Sequence, residues 1–284
     1  MPTAQLRQTR TVNLGCGFCP ATRTVLATHV LFALLFVLAP HRVVSLAPTL
    51  SEITCALGQE ALLVGVTRFD DFPPSVKALP KVGGFTDPSL EAIVALRPDV
   101  VLLNPNEANQ SLTQALDKAH VHWLSLADGA LTDFAPMVRA LAKLFEAVPE
   151  GERLVADFER DLAALAAHTR KGRALVLYGH RPLVAAGPGS FGAELLQAAG
   201  IANAYGGSQR YPHLDMEAVL QLAPDWLIDL DMNQSGASDT AYFAPFATPL
   251  EARHIRLVYR ADAALLRLGP RLPKAMTALV AELK

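Results

Sequence analysis

Leu90-Glu-Ala-Ile-Val-Ala-Leu-Arg-Pro-Asp-Val-Val-Leu-Leu103 and Met216-Glu-Ala-Val-Leu-Gln-Leu-Ala-Pro-Asp-Trp-Leu-Ile-Asp229 are two copies of one pattern. Glu91, Ala92, Leu96, Pro98 and Asp99 of the first return as Glu217, Ala218, Leu222, Pro224 and Asp225 of the second. Each reads as a short amphipathic helix, a Pro-Asp turn and an apolar run with the character of a buried parallel strand. Proline ends the helix because it lacks an N–H and clashes with the preceding turn. One copy falls in each half of the chain, so the pattern predicts two similar α/β lobes. Helix, Pro-Asp and strand also follow one another by chance in α/β proteins, so the rest of the chain has to decide.

The sequence has 284 residues, 51% of them hydrophobic and 18% charged, with a formal net charge of −2. That is a globular composition. No basic run is long enough to track a phosphate backbone, which argues against a nucleic-acid role. At the start, Arg7, Arg10 and Arg23 precede the apolar stretch from Thr24 to Ala39. A positive region, a short apolar core and a small-residue exit predict an export signal over residues 1–40. The stretch falls short of the roughly 20 residues of a spanning helix. An uncleaved anchor is the alternative, because Pro40 follows the small-residue exit directly. Cys16 and Cys19 form a CxxC within this leader and have no second pair to complete a metal site. Cys55, on an apolar helix face, is expected to be a buried core thiol.

Strands are predicted at residues 41–46 and 62–66, with a helix over 52–57 capped by Ser51 or Thr49 and stopped at Gly58. Another strand follows at 121–126. From Leu131 to Arg170 strand signals vanish. Phe134, Val138, Leu141 and Phe145 recur at helical spacing, Pro149 breaks the run, and a second helix extends from about Glu152 to His168. At 1.5 Å per residue it is roughly 25 Å long, enough to join two lobes. After Gly172 the pattern restarts with strands at 173–178, 183–187 and 255–258 and a terminal helix over 270–283. The expected division is therefore a leader (1–40), an N-terminal lobe (41–131), connecting helices (132–170) and a C-terminal lobe (171–284).

Chemistry-bearing motifs are weak. Gly187, Gly189 and Gly192 match GxGxxG, but the strand and acid context of a dinucleotide site is missing, and an ordinary glycine turn is the expectation. Ser190 lacks the setting of a nucleophile elbow. Asp70 and Asp71 are adjacent but read as a solvated acidic loop. The histidines are scattered without a zinc pattern, His180 and His213 being the one pair with a chance to converge. What recurs is aromatic residues in loops after strands: Phe69, Phe72 and Phe85 in the first half, Phe191, Tyr205 and Tyr211 in the second. Ligands of open α/β sheets bind beyond the carboxyl ends of the strands, so these side chains are expected to wall a ligand cleft rather than fill a core.

Arg42 to Glu52, Leu57-Gly58, Val64 to Val66, Phe72-Pro-Pro74, Val82-Gly-Gly84 and Leu90 to Leu103 resemble the helical-backbone (class III) periplasmic binding proteins. These serve ABC importers of cobalamin, haem and ferric siderophores. The resemblance continues through Val184 to Gly187, Glu194 to Leu196, Tyr211-Pro212, Glu217 to Asp225 and Gly269 to Arg271. It implies two Rossmann-like lobes joined by one long rigid helix, a ligand between them, modest closure, no catalysis, and a monomer docking onto a permease dimer. The cobalamin-binding members are the most similar. Their aromatic clamp falls on Phe69, Phe85 and Tyr211, and their transporter-docking acids on Glu91 and Glu217. This chain departs by having phenylalanine where those members have tryptophan or tyrosine, and only Asp262 lies near the acid expected before the last helix.

The expected ligand-binding set is Phe69, Phe72, Phe85, His180, Phe191 and Tyr211, with no resident metal or cofactor. A corrin, broad, largely apolar and edged with amides, suits facing aromatics. Cobalamin or a related corrinoid is therefore the expected ligand. A ferric siderophore comes second, with Arg68, Lys81, Arg181 and Arg210 as its cations, and haem third. A two-lobed nucleotide-dependent enzyme is the rival from another class.

Overall fold

A computed structural model describes residues 39–166, 171–230, 241–260 and 262–283. The leader, with its export signal and CxxC, lies outside the described residues. Among those that are described, no helix is long and apolar enough to cross a membrane.

The first lobe is built on a four-stranded sheet: β1 (Val43–Ser45), β2 (Leu63–Gly65), β3 (Val100–Leu103) and β4 (His122–Ser125). The order is β2-β1-β3-β4 and every pairing is parallel. Helices α1 (Pro48–Ala56), α2 (Leu90–Ala95) and α3 (Glu107–Lys118) connect the strands. Helix α1 starts earlier than its sequence suggests. Pro48 opens it, in the first turn where a missing N–H costs nothing, and neither Thr49 nor Ser51 caps it. Ser51 instead points its hydroxyl back to the Ala47 carbonyl. Helix α3 is absent from the sequence reading, where its mostly polar residues hide the buried pair Leu112 and Leu116, spaced one turn apart.

Two helices follow, α4 (Phe134–Leu144) and α5 (Val148–Ala166). Pro149 separates them in the sense that it lies in the first turn of α5, where proline is tolerated. The 19 residues of α5 span about 28 Å. Phe134 and Phe158 stack with ring centroids 3.7 Å apart, locking α4 on α5. Gly151 allows the close approach, since a Cβ there would meet that of Ala142 at 2.4 Å.

The second lobe carries a six-stranded sheet. Its strands are β5 (Arg173–His180), β6 (Leu183–Ala185), β7 (Ala202–Asn203), β8 (His213–Leu214), β9 (Trp226–Asp229) and β10 (Arg256–Tyr259). The main path is β10-β9-β5-β6-β8, with β7 beside β5. Strands β9, β10 and β7 run parallel to their partners, whereas β6 is antiparallel to both β5 and β8. Among the described residues it also carries helices α6 (Phe191–Ala198), α7 (Met216–Leu222), α8 (Ala247–Ala252) and α9 (Leu272–Glu282).

The repeat is structural as well as sequential. In the first copy Ser89 caps α2 by accepting from the Ala92 N–H at 3.2 Å; in the second Asp215 caps α7 by accepting from Ala218 at 2.7 Å. Both helices end on a residue of positive φ before the proline, Arg97 (47°) and Ala223 (44°). Asp99 Oδ2 then accepts from the backbone N–H of Arg42 at 2.9 Å, and Asp225 Oδ2 from that of Arg173 at 2.7 Å. The two arginines turn their guanidinium groups onto the carbonyls that each helix end leaves free, Leu96 and Arg97 in one lobe, Leu222 and Ala223 in the other. Strands β3 and β9 that follow are buried along their whole length.

One apolar cluster runs from the first sheet to the second. It joins Val43 and Leu50 to Phe134, Val155 and Phe158 of the connecting helices. It continues to Val176 and Trp226, and to Leu272 and Leu279 of α9. Ion pairs reinforce the junction. Glu52 of α1, 4% exposed, takes a two-pronged contact from Arg271 (2.6 and 2.9 Å) and a third bond from Arg267 at 3.2 Å. A buried carboxylate needs such partners, because desolvating it alone would be costly.

Candidate functional site

Between the halves lies a cavity of about 360 Å³. The loop after β4 contributes Asp128 and Gly129. From the second lobe come Tyr178 of β5, Val184 of β6, Phe191 at the start of α6, and Arg210 and Tyr211. Leu266 and Leu268 close it. The residues thus gather where β4 and β5 run out at their carboxyl ends, the expected place for a ligand in α/β sheets.

Tyr178 and Tyr211 meet edge to face with centroids 5.9 Å apart, and the Arg210 guanidinium lies over the Tyr211 ring at 5.6 Å. The Tyr178 oxygen accepts from the Gly192 N–H at 2.6 Å. Burial pushes this phenol up to about 12, so it stays neutral. Of the three glycines that resembled a dinucleotide loop, Gly189 sits at positive φ (73°) and the other two have packing reasons. A Cβ on Gly192 would strike the Tyr178 oxygen at 2.5 Å, and one on Gly187 would overlap the Gln209 carbonyl. Ser190 caps α6 by accepting from the Ala193 N–H at 3.3 Å.

Of the six aromatic and histidine positions expected to bind ligand, the structure brings Phe191 and Tyr211 together in this cavity. Phe69 and Phe85 are exposed on first-lobe loops. Those loops are tied to each other: the Arg68 N–H donates to the Gly83 carbonyl at 2.9 Å, and the Arg68 guanidinium pairs with Asp87 at 2.5 Å. Phe69 is held at the lobe junction, its carbonyl accepting from Arg267 Nη2 at 2.9 Å. Arg267 sits between Leu266 and Leu268 of the cavity wall. Phe72 is placed differently. Its ring lies under the Arg271 guanidinium at 4.0 Å and lines a separate pocket with Glu52, Cys55 and Pro270. His180 is not at the cavity surface. Its Nε2 lies 2.9 Å from buried Asp229, and its ring stacks on Tyr242 and meets Phe243 edge-on. A histidine at a strand end, read from sequence as a loop residue, is here part of a packed polar-aromatic knot.

Asp70 and Asp71 diverge, which contradicts a solvated acidic pair. Asp70 is buried and accepts from the Thr67 N–H and hydroxyl at 2.9 and 2.5 Å, with burial pushing its carboxyl up. Asp71 pairs with Arg267 at 2.6 Å. Among the described residues no group of three or more His, Cys, Asp or Glu is placed to hold a metal ion. Cys55 is partly buried, and burial with nearby Glu60 raises its thiol to about 12. Of the cations expected near the cleft, Arg68 serves Asp87, Lys81 donates to the Val76 carbonyl, and Arg210 lines the cavity.

Asp128 was missed from sequence. It sits in Leu126-Ala-Asp-Gly-Ala130, a stretch with no motif around it. Burial, with a smaller contribution from Asp133, raises its carboxyl to about 6. Its loop is fastened to the opposite lobe, the Leu131 N–H donating to Glu194 Oε2 at 2.7 Å. Glu91 and Glu217 are exposed, each at the second residue of its helix.

Two α/β lobes, a connecting helix and a cavity opening between them define a solute-binding protein of the helical-backbone class. The chain belongs to the periplasmic binding protein family, whose model matches residues 43–244. It is 28% identical over 218 residues to a vitamin B12-binding protein of Pectobacterium atrosepticum, covering 74% of this chain and 78% of that one. It is 30% identical to the apo form of the periplasmic haem-binding protein RhuT from Roseiflexus sp. RS-1, with a TM-score of 0.75 over 86% of this chain and 97% of that one. The periplasmic vitamin B12-binding protein BtuF of Vibrio cholerae shares the fold at 20% identity and a TM-score of 0.71, over 86% and 97% of the two chains.

Proposed function

We propose that this chain is an exported solute-binding protein that holds cobalamin or a related corrinoid between its lobes and hands it to an ABC importer in the periplasm. It acts without catalysis, by selective binding and docking. The aromatic wall of Tyr178, Phe191 and Tyr211 in the interlobe cavity carries the reading. Its rings and the neighbouring Leu266 and Leu268 suit one face of a broad apolar macrocycle, while Phe69 and Phe85 stand exposed on the first lobe to meet the other. Relatives named for vitamin B12 binding support this choice.

Haem is the second reading, favoured by the 30% identity to RhuT. One feature weighs against it. Haem carries two anionic propionates, whereas the cavity wall holds one cation, Arg210, and one acid, Asp128, among its lining residues. Native mass spectrometry of protein isolated from its own compartment tests the proposal. A single corrinoid per chain is expected, and a haem adduct in its place would overturn the corrinoid assignment.

A further inference from the structure

The cavity wall is almost wholly apolar or aromatic apart from Asp128 on one lobe and Arg210 on the other. These two differ in what they offer. The Arg210 guanidinium already lies over the Tyr211 ring. The Asp128 carboxyl stands on a loop whose Ala130 and Leu131 N–H groups are in use. Asp133 Oδ2 accepts from the Ala130 N–H at 2.9 Å, and Glu194 Oε2 from the Leu131 N–H. Both of those acids therefore hold the loop in place, and Asp128 is left facing the cavity.

We infer that Asp128 is the group by which this pocket distinguishes a macrocycle edged with carboxamides from one edged with carboxylates. The inference rests on the proposed function and goes further, by naming what the site reads on its ligand. An ionised carboxylate accepts a hydrogen bond from a primary amide N–H, and such charge-assisted bonds are strong. The same carboxylate repels a ligand carboxylate brought into a poorly solvated cavity, where charges are weakly screened. The corrin ring supplies the shared apolar body, and Asp128 reads its edge.

The discrimination depends on pH, because burial brings this carboxyl into the range where it titrates near neutrality. The surrounding groups do not replace it. Asp133 and Glu194 are engaged with backbone N–H groups. Tyr178 stays protonated. Arg210 and Tyr211 face each other, and Arg267, between the wall residues Leu266 and Leu268, is directed to Glu52, Asp71 and the Phe69 carbonyl.

Calorimetry of the intact protein with cyanocobalamin and with its monocarboxylic acids, in each of which one ring amide is replaced by a carboxylate, tests the inference at pH 8 and pH 5. Wild type at pH 8 should favour cyanocobalamin. Asp128→Asn should tighten the acid whose carboxylate faces it about tenfold, as expected for removing one like charge. Its affinity for cyanocobalamin should fall about three- to tenfold, because the amide oxygen still accepts the bond but without the charge. In wild type the preference should narrow from pH 8 to pH 5 by more than it does in the variant, which reports the ligand's own titration. Asp128→Ser serves as a second variant should the first fail to fold. Tight cyanocobalamin binding with a preference unaltered by either variant overturns the role of Asp128 and leaves the corrinoid reading standing. No binding of cyanocobalamin or its acids by wild type overturns both.

Discussion

Arg267 Nη2 donates to the backbone carbonyl of Phe69 at 2.9 Å, joining residues 198 positions apart in sequence across the junction of the lobes. The same guanidinium reaches Asp71 at 2.6 Å and Glu52 at 3.2 Å. Arg267 therefore fixes the loop that carries an exposed aromatic to the segment whose Leu266 and Leu268 line the cavity.

Arg267→Ala should be destabilising. It leaves buried Glu52 with Arg271 alone and frees the Phe69 carbonyl, a loss of about 2 kcal/mol. Arg267→Lys should recover little of it, because one ammonium cannot span three acceptors in a planar fork. Urea unfolding of the three proteins checks this, and a lysine variant as stable as wild type would contradict the multi-acceptor role.

Asp99→Ala and Asp225→Ala should cost nearly the same stability, about 1–2 kcal/mol each, since each removes the carboxylate that receives the first-strand N–H of its lobe. Asp99 also accepts from the His41 N–H at 2.8 Å, so its variant should be slightly the worse of the two. Thermal melting of both variants tests the equivalence.

Stability should respond to pH through Asp128. Its carboxyl is raised from 3.8 to about 6 in the folded protein. Between those values the folded state holds the proton more tightly than the unfolded chain, so this group's stability is complete below about pH 4. It is lost as pH rises through 6. Asp128→Asn should therefore match wild type in melting temperature near pH 3.5 and exceed it at pH 8. A difference that does not vary with pH would refute the shift.

The two-lobed plan was legible because the repeat encodes a complete device. The cap, the helix, the Pro-Asp turn and the buried strand all recur, and Pro98 and Pro224 mark the same boundary. The connecting helix was legible from Leu154, Phe158 and Leu165 at helical spacing, though its start was not, because Pro149 is read locally as a break and is tolerated in a first turn. The antiparallel β6 was not legible, since a three-residue apolar strand carries no mark of direction. In the site, Phe191 and Tyr211 were found as loop aromatics. His180 and Phe72 obeyed the same rule, and tertiary partners, Asp229 for one and Arg271 for the other, placed them elsewhere. Asp128 carries no local signal, because the cavity that it lines is walled mainly by the second lobe.

Glu91→Lys with Glu217→Lys should abolish import in a transport assay while leaving ligand affinity within about threefold, because exposed rim charges govern partner recognition more than a distant cavity. Loss of ligand affinity in proportion to loss of transport would refute the docking role proposed for these acids.

The most direct measurement is the crystal structure of the protein with cyanocobalamin. The account predicts the corrin between the lobes, one face against Tyr178, Phe191 and Tyr211 and the other toward Phe69 and Phe85, with Asp128 at its amide edge. A corrin bound instead in the second-lobe groove lined by Phe243, Leu250 and Leu257, or no corrin in crystals grown with saturating ligand, would contradict it.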